Sequence, residues 1–131
     1  MIPNPIRQWL CYMATGDTSI LDDLLAEDLV FYSPAVFSPQ EGVAKARTYL
    51  EAAETLFAGT DFRYTQQWFG DSAAALEFEA VIDDIHINGV DVIHWDDLSQ
   101  IDSFKVFVRP LRGLQTLIPL MGALLSSPKR N

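Results

Sequence analysis

Cysteine is nearly missing from this chain. Cys11 stands alone, so no intrachain disulfide can form, and a reducing compartment is the natural expectation. Positive charge is scarce as well: 9 Lys and Arg face 18 Asp and Glu, a formal net charge of −9. Binding a nucleic-acid backbone takes Lys and Arg. Binding an anionic membrane surface takes them too. Neither partner is expected. Long apolar runs are also missing. The best candidate, "GLQTLIPLMGALL" (113–125), is interrupted by Gln115, Thr116 and Pro119. It falls short of the roughly 20 apolar residues that span a bilayer. The opening "MIPNPIRQWLCYMATGD" has no basic segment followed by a clean apolar run, so it is not expected to act as a signal peptide. A cytoplasmic protein is the expectation. The two histidines, His86 and His94, lie eight residues apart with no HxxxH or CxxC nearby, which offers no metal site. The seven glycines are dispersed and form no nucleotide loop, so no cofactor is expected.

What is present suits one packed domain over residues 1–131. The chain is 49% hydrophobic and 21% charged, enough apolar material for a core. The tail, about 126–131, reads as flexible. Pro5 marks a first helical turn with Asn4 as its cap, and Ile6, Trp9, Leu10 and Met13 follow at helical spacing. Gly16 ends that helix. Asp17 or Thr18 is placed to cap a second, carrying Ile20, Leu21, Leu24 and Leu25, and the acids of "DDLLAED" (22–28) read as its solvated face. "LVFYSP" (29–34) reads as a short strand. "SPQE" (38–41) has the form of a capping box, opening a helix through Val43, Ala46, Leu50, Ala53, Leu56 and Phe57.

From Asp61 the period changes to two. Strands are expected at about 61–69, 73–82, 85–95 and 100–109, and a final helix at about 112–125. The central hairpin has two candidate turns. "NG" (88–89) is the stronger two-residue signal. "DD" (83–84) gives strands of matching length and is preferred, with Gly89 tolerated inside its strand as a bulge. This order of elements points to an α+β fold, helices packed on one face of a largely antiparallel sheet.

In "NGVDVIHWD" (88–96) one residue breaks the strand chemistry. Side chains alternate across a strand, so Asp91 shares a face with Gly89, Ile93 and Trp95. With the "DD" turn, Leu76 lies opposite Asp91 and Phe78 opposite Gly89. The same face carries Ala80, Ile82, Ile85 and Ile87. It is an apolar face with one carboxylate in it. The other face, with Glu77, Glu79, His86, Asn88, Val90, Val92 and His94, is mixed. A carboxyl turned toward a core is desolvated, which raises its pKa. Two readings stay open: a strand acid that finds a backbone N–H or Arg109, or a neutral acid lining a pocket.

Three stretches in order, "GDTSILDDLLAEDLVFYSP" (16–34), "EGVAKARTYL" (41–50) and "GVDVIHWDDLSQIDSFKVFVRPL" (89–111), resemble the nuclear transport factor 2-like superfamily. The likeness is to its SnoaL-like and ketosteroid isomerase-like branch, and covers roughly residues 5 to 111. The "VRPLRGL" ending resembles a bacterial SnoaL-like subgroup. The resemblance implies a cone, a curved sheet wrapped around helices with a deep apolar pocket. It also implies a homodimer through the outer sheet face, here Val90, Val92 and His94, with His86 and His94 as interface or surface residues.

Asp91 matches the protonated aspartate that donates to the enolate oxygen in ketosteroid isomerases. Trp9 falls where the isomerases place a tyrosine, and Ser33 where they place the general base. A serine without an activating partner is a poor base toward carbon. The acid set of limonene epoxide hydrolases is also missing, one member falling near Val106. Ser33 and Cys11 lack a visible base, which argues against nucleophilic catalysis. Trp9, Phe31, Ser33, Leu76, Phe78, Ile93, Phe104 and Val106 are expected to line the pocket around Asp91, the candidate catalytic residue. Lys105 and Arg109 are expected to face outward. The implied function is an isomerase, cyclase or lyase acting on a small apolar carbonyl compound. A non-catalytic binder of a small apolar ligand stays open beside it, as does a dimeric accessory subunit with a filled pocket.

Overall fold

Alternation along the long strands decides which side chains meet the helices. The computed structural model describes residues 1–126. In chain order the elements are α1 (Asn4–Thr15), α2 (Ser19–Leu24), β1 (Leu25–Tyr32), β2 (Gln40–Glu41), α3 (Val43–Phe57), β3 (Arg63–Phe69), β4 (Ala73–Ile82), β5 (Ile85–Trp95), β6 (Ile101–Arg109) and α4 (Leu111–Ser126). The strands form one sheet in the order β2-β1-β6-β5-β4-β3. Among the described residues, only the β1–β6 pair is parallel. This is the curved-sheet α+β fold expected, with the N-terminal helices and α3 on the inner face and α4 after the last strand. Of the expected flexible tail, Ser126 closes α4, and the rest lies outside the described residues. Among the described residues, no helix is long and apolar enough to cross a membrane.

The core forms where the inner sheet face meets α1, α2 and α3. Ile6, Trp9 and Tyr12 of α1, Leu21 and Leu24 of α2 and Leu50 of α3 pack with Leu76, Ile93 and Phe104 of the sheet. A second cluster joins Leu56, Phe78, Ile82 and Ile87 to Leu117 of α4. Burial alternates without a break along β4, the pattern of a strand with one wet face.

The central hairpin turns at Asp83 and Asp84, both with positive φ (51° and 63°). Two left-handed residues suit the twist of a two-residue hairpin, and Asp tolerates that conformation. Leu76 therefore faces Asp91, and Phe78 faces Gly89. Gly89 is not a bulge: the register runs through it unbroken on both sides. It is required by a close approach instead. A Cβ there would stand 2.6 Å from the Phe107 carbonyl oxygen and collide with the Phe78 ring.

Four local expectations are corrected. Pro3, not Asn4, stands at the cap of α1, and no side chain bonds there. "SPQE" caps nothing: Gln40 and Glu41 form β2, pairing with Phe31 and Val30, and Gly42 opens α3. The edge of β1 takes this segment, with the Gly42 N–H bonded to the Leu29 carbonyl at 2.9 Å. The second helix is short, because Leu25 leaves it to pair with Ile101 and begin β1 four residues early. The acids of 22–28 are thus split between a helix and a strand. Neither Asp17 nor Thr18 caps α2 in the usual way, although the Asp17 carboxylate takes the Ser19 N–H at 3.0 Å.

The outer face carries Val90, Val92 and His94 as read. His94 pairs with Asp102, Nδ1 to Oδ1 at 2.6 Å. Arg109 also points outward and donates to the Asn88 side chain at 3.2 Å, so it does not meet Asp91. Lys105 lies over the Tyr32 ring.

Candidate functional site

Three elements bring one polar group each to the inner face: Trp9 from α1, Tyr64 from β3 and Asp91 from the middle of β5. The Trp9 Nε1–H donates to the Tyr64 hydroxyl oxygen at 2.9 Å, and the Tyr64 O–H donates to Asp91 Oδ2 at 2.6 Å. The direction of this chain is fixed by its first member. An indole N–H can only donate. The Tyr64 oxygen must accept it, which turns the hydroxyl proton toward Asp91. Oδ2 is then an acceptor in either protonation state, and a proton on the carboxyl belongs on Oδ1.

Asp91 is only 7% exposed. Burial pushes its carboxyl from 3.8 up to about 7, while the Tyr64 hydrogen bond pulls the other way by favouring the charged form. The Tyr64 phenol is held well above its ordinary range, first by burial, then by the Asp91 charge and their shared bond. Tyr64 therefore stays a donor wherever the protein is folded.

One cavity adjoins these three residues and a second lies beyond it. A small inner chamber, about 40 Å³, is lined by Asp91 with Trp9, Phe31, Phe57, Phe78, Phe104 and Val106 among its walls. It has room for roughly three waters at ~10–15 Å³ each, or for a carbonyl group. A larger cavity of about 240 Å³ lies beyond it, between the end of β1, α3 and α4. Its walls are nearly all apolar, including Tyr49, Leu56, Leu117, Ile118 and Met121. Val36 and Ile118, about half exposed, stand at its rim. The two spaces share Phe31, Ala53, Phe57 and Val106 as common walls.

The residues singled out in the sequence sort onto these spaces unevenly. Trp9, Phe78 and Phe104 line the inner chamber, and Phe31 and Val106 line both. Of these two spaces Ser33 lines the outer cavity, where its Oγ accepts the Ala35 N–H at 3.0 Å. It does not reach Asp91's chamber. Leu76 and Ile93 line neither cavity; both are fully buried core. The larger space is therefore not wrapped around Asp91, because aromatic rings fill the centre of the inner face. Tyr64 is not among the residues that the sequence places in the pocket. The available signal was its inward register opposite Phe78. A buried tyrosine hydroxyl usually finds a partner, and Trp9 and Asp91 are the polar groups that meet this one. Among the described residues, no cluster of His, Cys, Asp and Glu is arranged to hold a metal.

Residues 6–102 match the family model described as the SnoaL-like domain. A steroid delta-isomerase from Pseudomonas aeruginosa is 35% identical over 93% of this chain and 89% of its own, with a TM-score of 0.87. An uncharacterised bacterial protein with a cystatin-like fold from Silicibacter pomeroyi is 28% identical over 93% and 85%, with a TM-score of 0.85. The epoxide hydrolase/cyclase-like enzyme SalBIII, of pyran ring formation in salinomycin, shares the fold at 20% identity over 82% and 89%, with a TM-score of 0.63. No curated protein sequence matches the chain. The chain belongs to the SnoaL-like family.

The raised carboxyl makes a stability prediction whose sign is fixed. Between pH 4 and pH 7 the folded protein holds a proton on Asp91 that the unfolded chain has released, so wild-type stability falls as pH rises across that window. Asp91→Asn lacks this term. Its stability relative to wild type should rise by up to about 4 kcal/mol from pH 4 to pH 7, from a shift of about three units at 1.36 kcal/mol each. Urea unfolding at a series of pH values reads this out. Parallel curves for the two proteins would contradict it.

Proposed function

We propose that this SnoaL-like domain binds a small apolar carbonyl compound and polarises its carbonyl with Asp91. The apolar body occupies the outer cavity, and the carbonyl oxygen enters the inner chamber. The observation that carries this reading is the occupancy of the carboxyl: Tyr64 holds Oδ2, which leaves Oδ1 and its proton for whatever enters. A buried neutral acid donating to a carbonyl stabilises the enolate-like transition state on the way to the enol, because the bond strengthens as charge develops on oxygen while the α-proton leaves. Tyr64 steadies the carboxylate that forms when the proton moves. Isomerisation and cyclisation both pass through such an enol. The similar structure named as a steroid delta-isomerase supports proton transfer beside a carbonyl.

A non-catalytic binder is favoured by a different observation. Among the described residues lining the inner chamber, Asp91 is the one ionisable acid or base, and Ser33 is spent on a backbone N–H in the other cavity. Water must then serve as the base. Exchange of the α-hydrogens of 2-decanone for deuterium separates the two readings. An enzyme accelerates exchange over solvent, loses roughly a hundredfold in Asp91→Asn, and slows as pH rises through about 7. A ketone that raises the melting temperature with no exchange above solvent identifies a binder. A ketone that does neither overturns the proposal.

We also propose that a second copy covers the outer sheet face. Trp68, Ala75 and Val92 lie in one row across β3, β4 and β5, and Val90 and Phe107 in the next. Trp68 and Phe107 are more than half exposed. An apolar centre ringed by Glu77, Lys105 and the His94–Asp102 pair has the make-up of an interface core and rim. Sedimentation should give a dimer for wild type and a folded monomer for Val92→Glu with Phe107→Glu. A wild-type monomer at high concentration would rule the interface out.

A further inference from the structure

Among the described residues, four line both the large cavity and the Asp91 chamber: Phe31, Ala53, Phe57 and Val106. They are not equally able to control passage. Ala53 contributes a methyl group. Val106 sits within β6, paired to Asp91 across the sheet. Phe31 is 3% exposed and clamped, stacked on Tyr49 with centroids 5.2 Å apart and leaning on Phe104 at 6.1 Å. Phe57 differs. It is the last residue of α3, two before Gly59, whose φ is +77°.

Phe57 also borders a third space. Outside the core lies a surface groove of about 370 Å³ lined by Met13, Glu54, Asp61, Phe57 and Phe62. Met13 and Phe62 belong to that groove and to the inner chamber, but not to the outer cavity. Among the described residues, Phe57 alone borders all three. Its ring meets Phe62, itself a wall of the groove, at 4.9 Å and Phe78 edge-on at 5.5 Å. Of the four shared walls, Phe57 is the one that stands at a helix end and also lines a third space.

Resting on the function proposed above, we infer that Phe57 is the specificity-determining residue that selects which carbonyl compounds reach Asp91. Unbranched ketones, with a head no wider than a methyl ketone, pass the ring and enter the 40 Å³ chamber. Ketones set in a fused ring stop in the outer cavity with their oxygen short of the carboxyl. The preferred substrate class is an open-chain apolar ketone or aldehyde, not a fused polycycle.

The test compares 2-decanone with 2-decalone, which share ten carbons and differ in shape, each labelled with carbon-13 at the carbonyl. Isotope-edited infrared spectra report whether the oxygen accepts a strong hydrogen bond. Thermal shift reports binding. In wild type the 2-decanone band moves to lower frequency, the 2-decalone band does not, and 2-decanone binds at least about tenfold tighter. In Phe57→Ala both bands move and the affinity gap closes. Phe57→Leu, which keeps more of the packing on Phe62 and Phe78, gives an intermediate result and serves if the alanine variant does not fold. A shifted 2-decalone band in wild type overturns the inference. So does an unshifted one in both folded variants while 2-decanone stays shifted, and the function proposal then survives. If 2-decanone neither binds nor shifts in any of the three proteins, that proposal falls and this inference with it.

Discussion

A carboxyl on an apolar sheet face has few ways to exist: it takes a partner, gives up its charge, or both. Asp91 does both. Burial drives it toward neutrality, and one phenol hydrogen bond restrains the shift. The donor-only indole of Trp9 sets the direction of that bond. Much of the architecture serves this arrangement. α1 brings the indole, β3 brings the phenol diagonally across β4, and Gly89 leaves space for the Phe78 ring beside them. An acid held near the middle of the neutral range switches roles with little cost, which is the property acid–base chemistry asks of a side chain.

The arrangement also explains the division of the interior into two unequal spaces. Phe31, Phe57, Phe62, Phe78 and Phe104 pack around the acid with centroid separations near those of favourable aromatic pairs. They shield Asp91 from bulk water and thereby raise its pKa. The same rings leave only a small chamber beside it. The apolar volume that accepts a molecular body lies further out, where α4 leans across α3. Desolvation of the acid and distance of the larger cavity have one cause.

The facing of Asp91 was legible because strand alternation leaves no freedom once the turn at Asp83 and Asp84 is chosen. The order of elements was legible for the same reason: periodicity changes from helical to strand-like near Asp61. Local signals failed where tertiary pairing overrode them. "SPQE" carries capping chemistry, yet the free edge of β1 took Gln40 and Glu41 as a strand. Leu25 fits a helical stripe, yet pairing with Ile101 took it into β1. The Tyr64–Asp91 bond was not legible because it spans 27 residues and runs diagonally across β4. No local pattern encodes such a contact. The division between the cavities was likewise invisible, since it depends on how five rings tilt against one another.

Carbon-13 NMR of the Asp91 carboxyl, titrated in wild type and in Tyr64→Phe, tests this account most directly. A wild-type midpoint near 7 is predicted, moving upward in Tyr64→Phe as the bond that favours the charged form is lost. A wild-type midpoint near that of a free carboxyl, or one that Tyr64→Phe leaves in place or lowers, would contradict it.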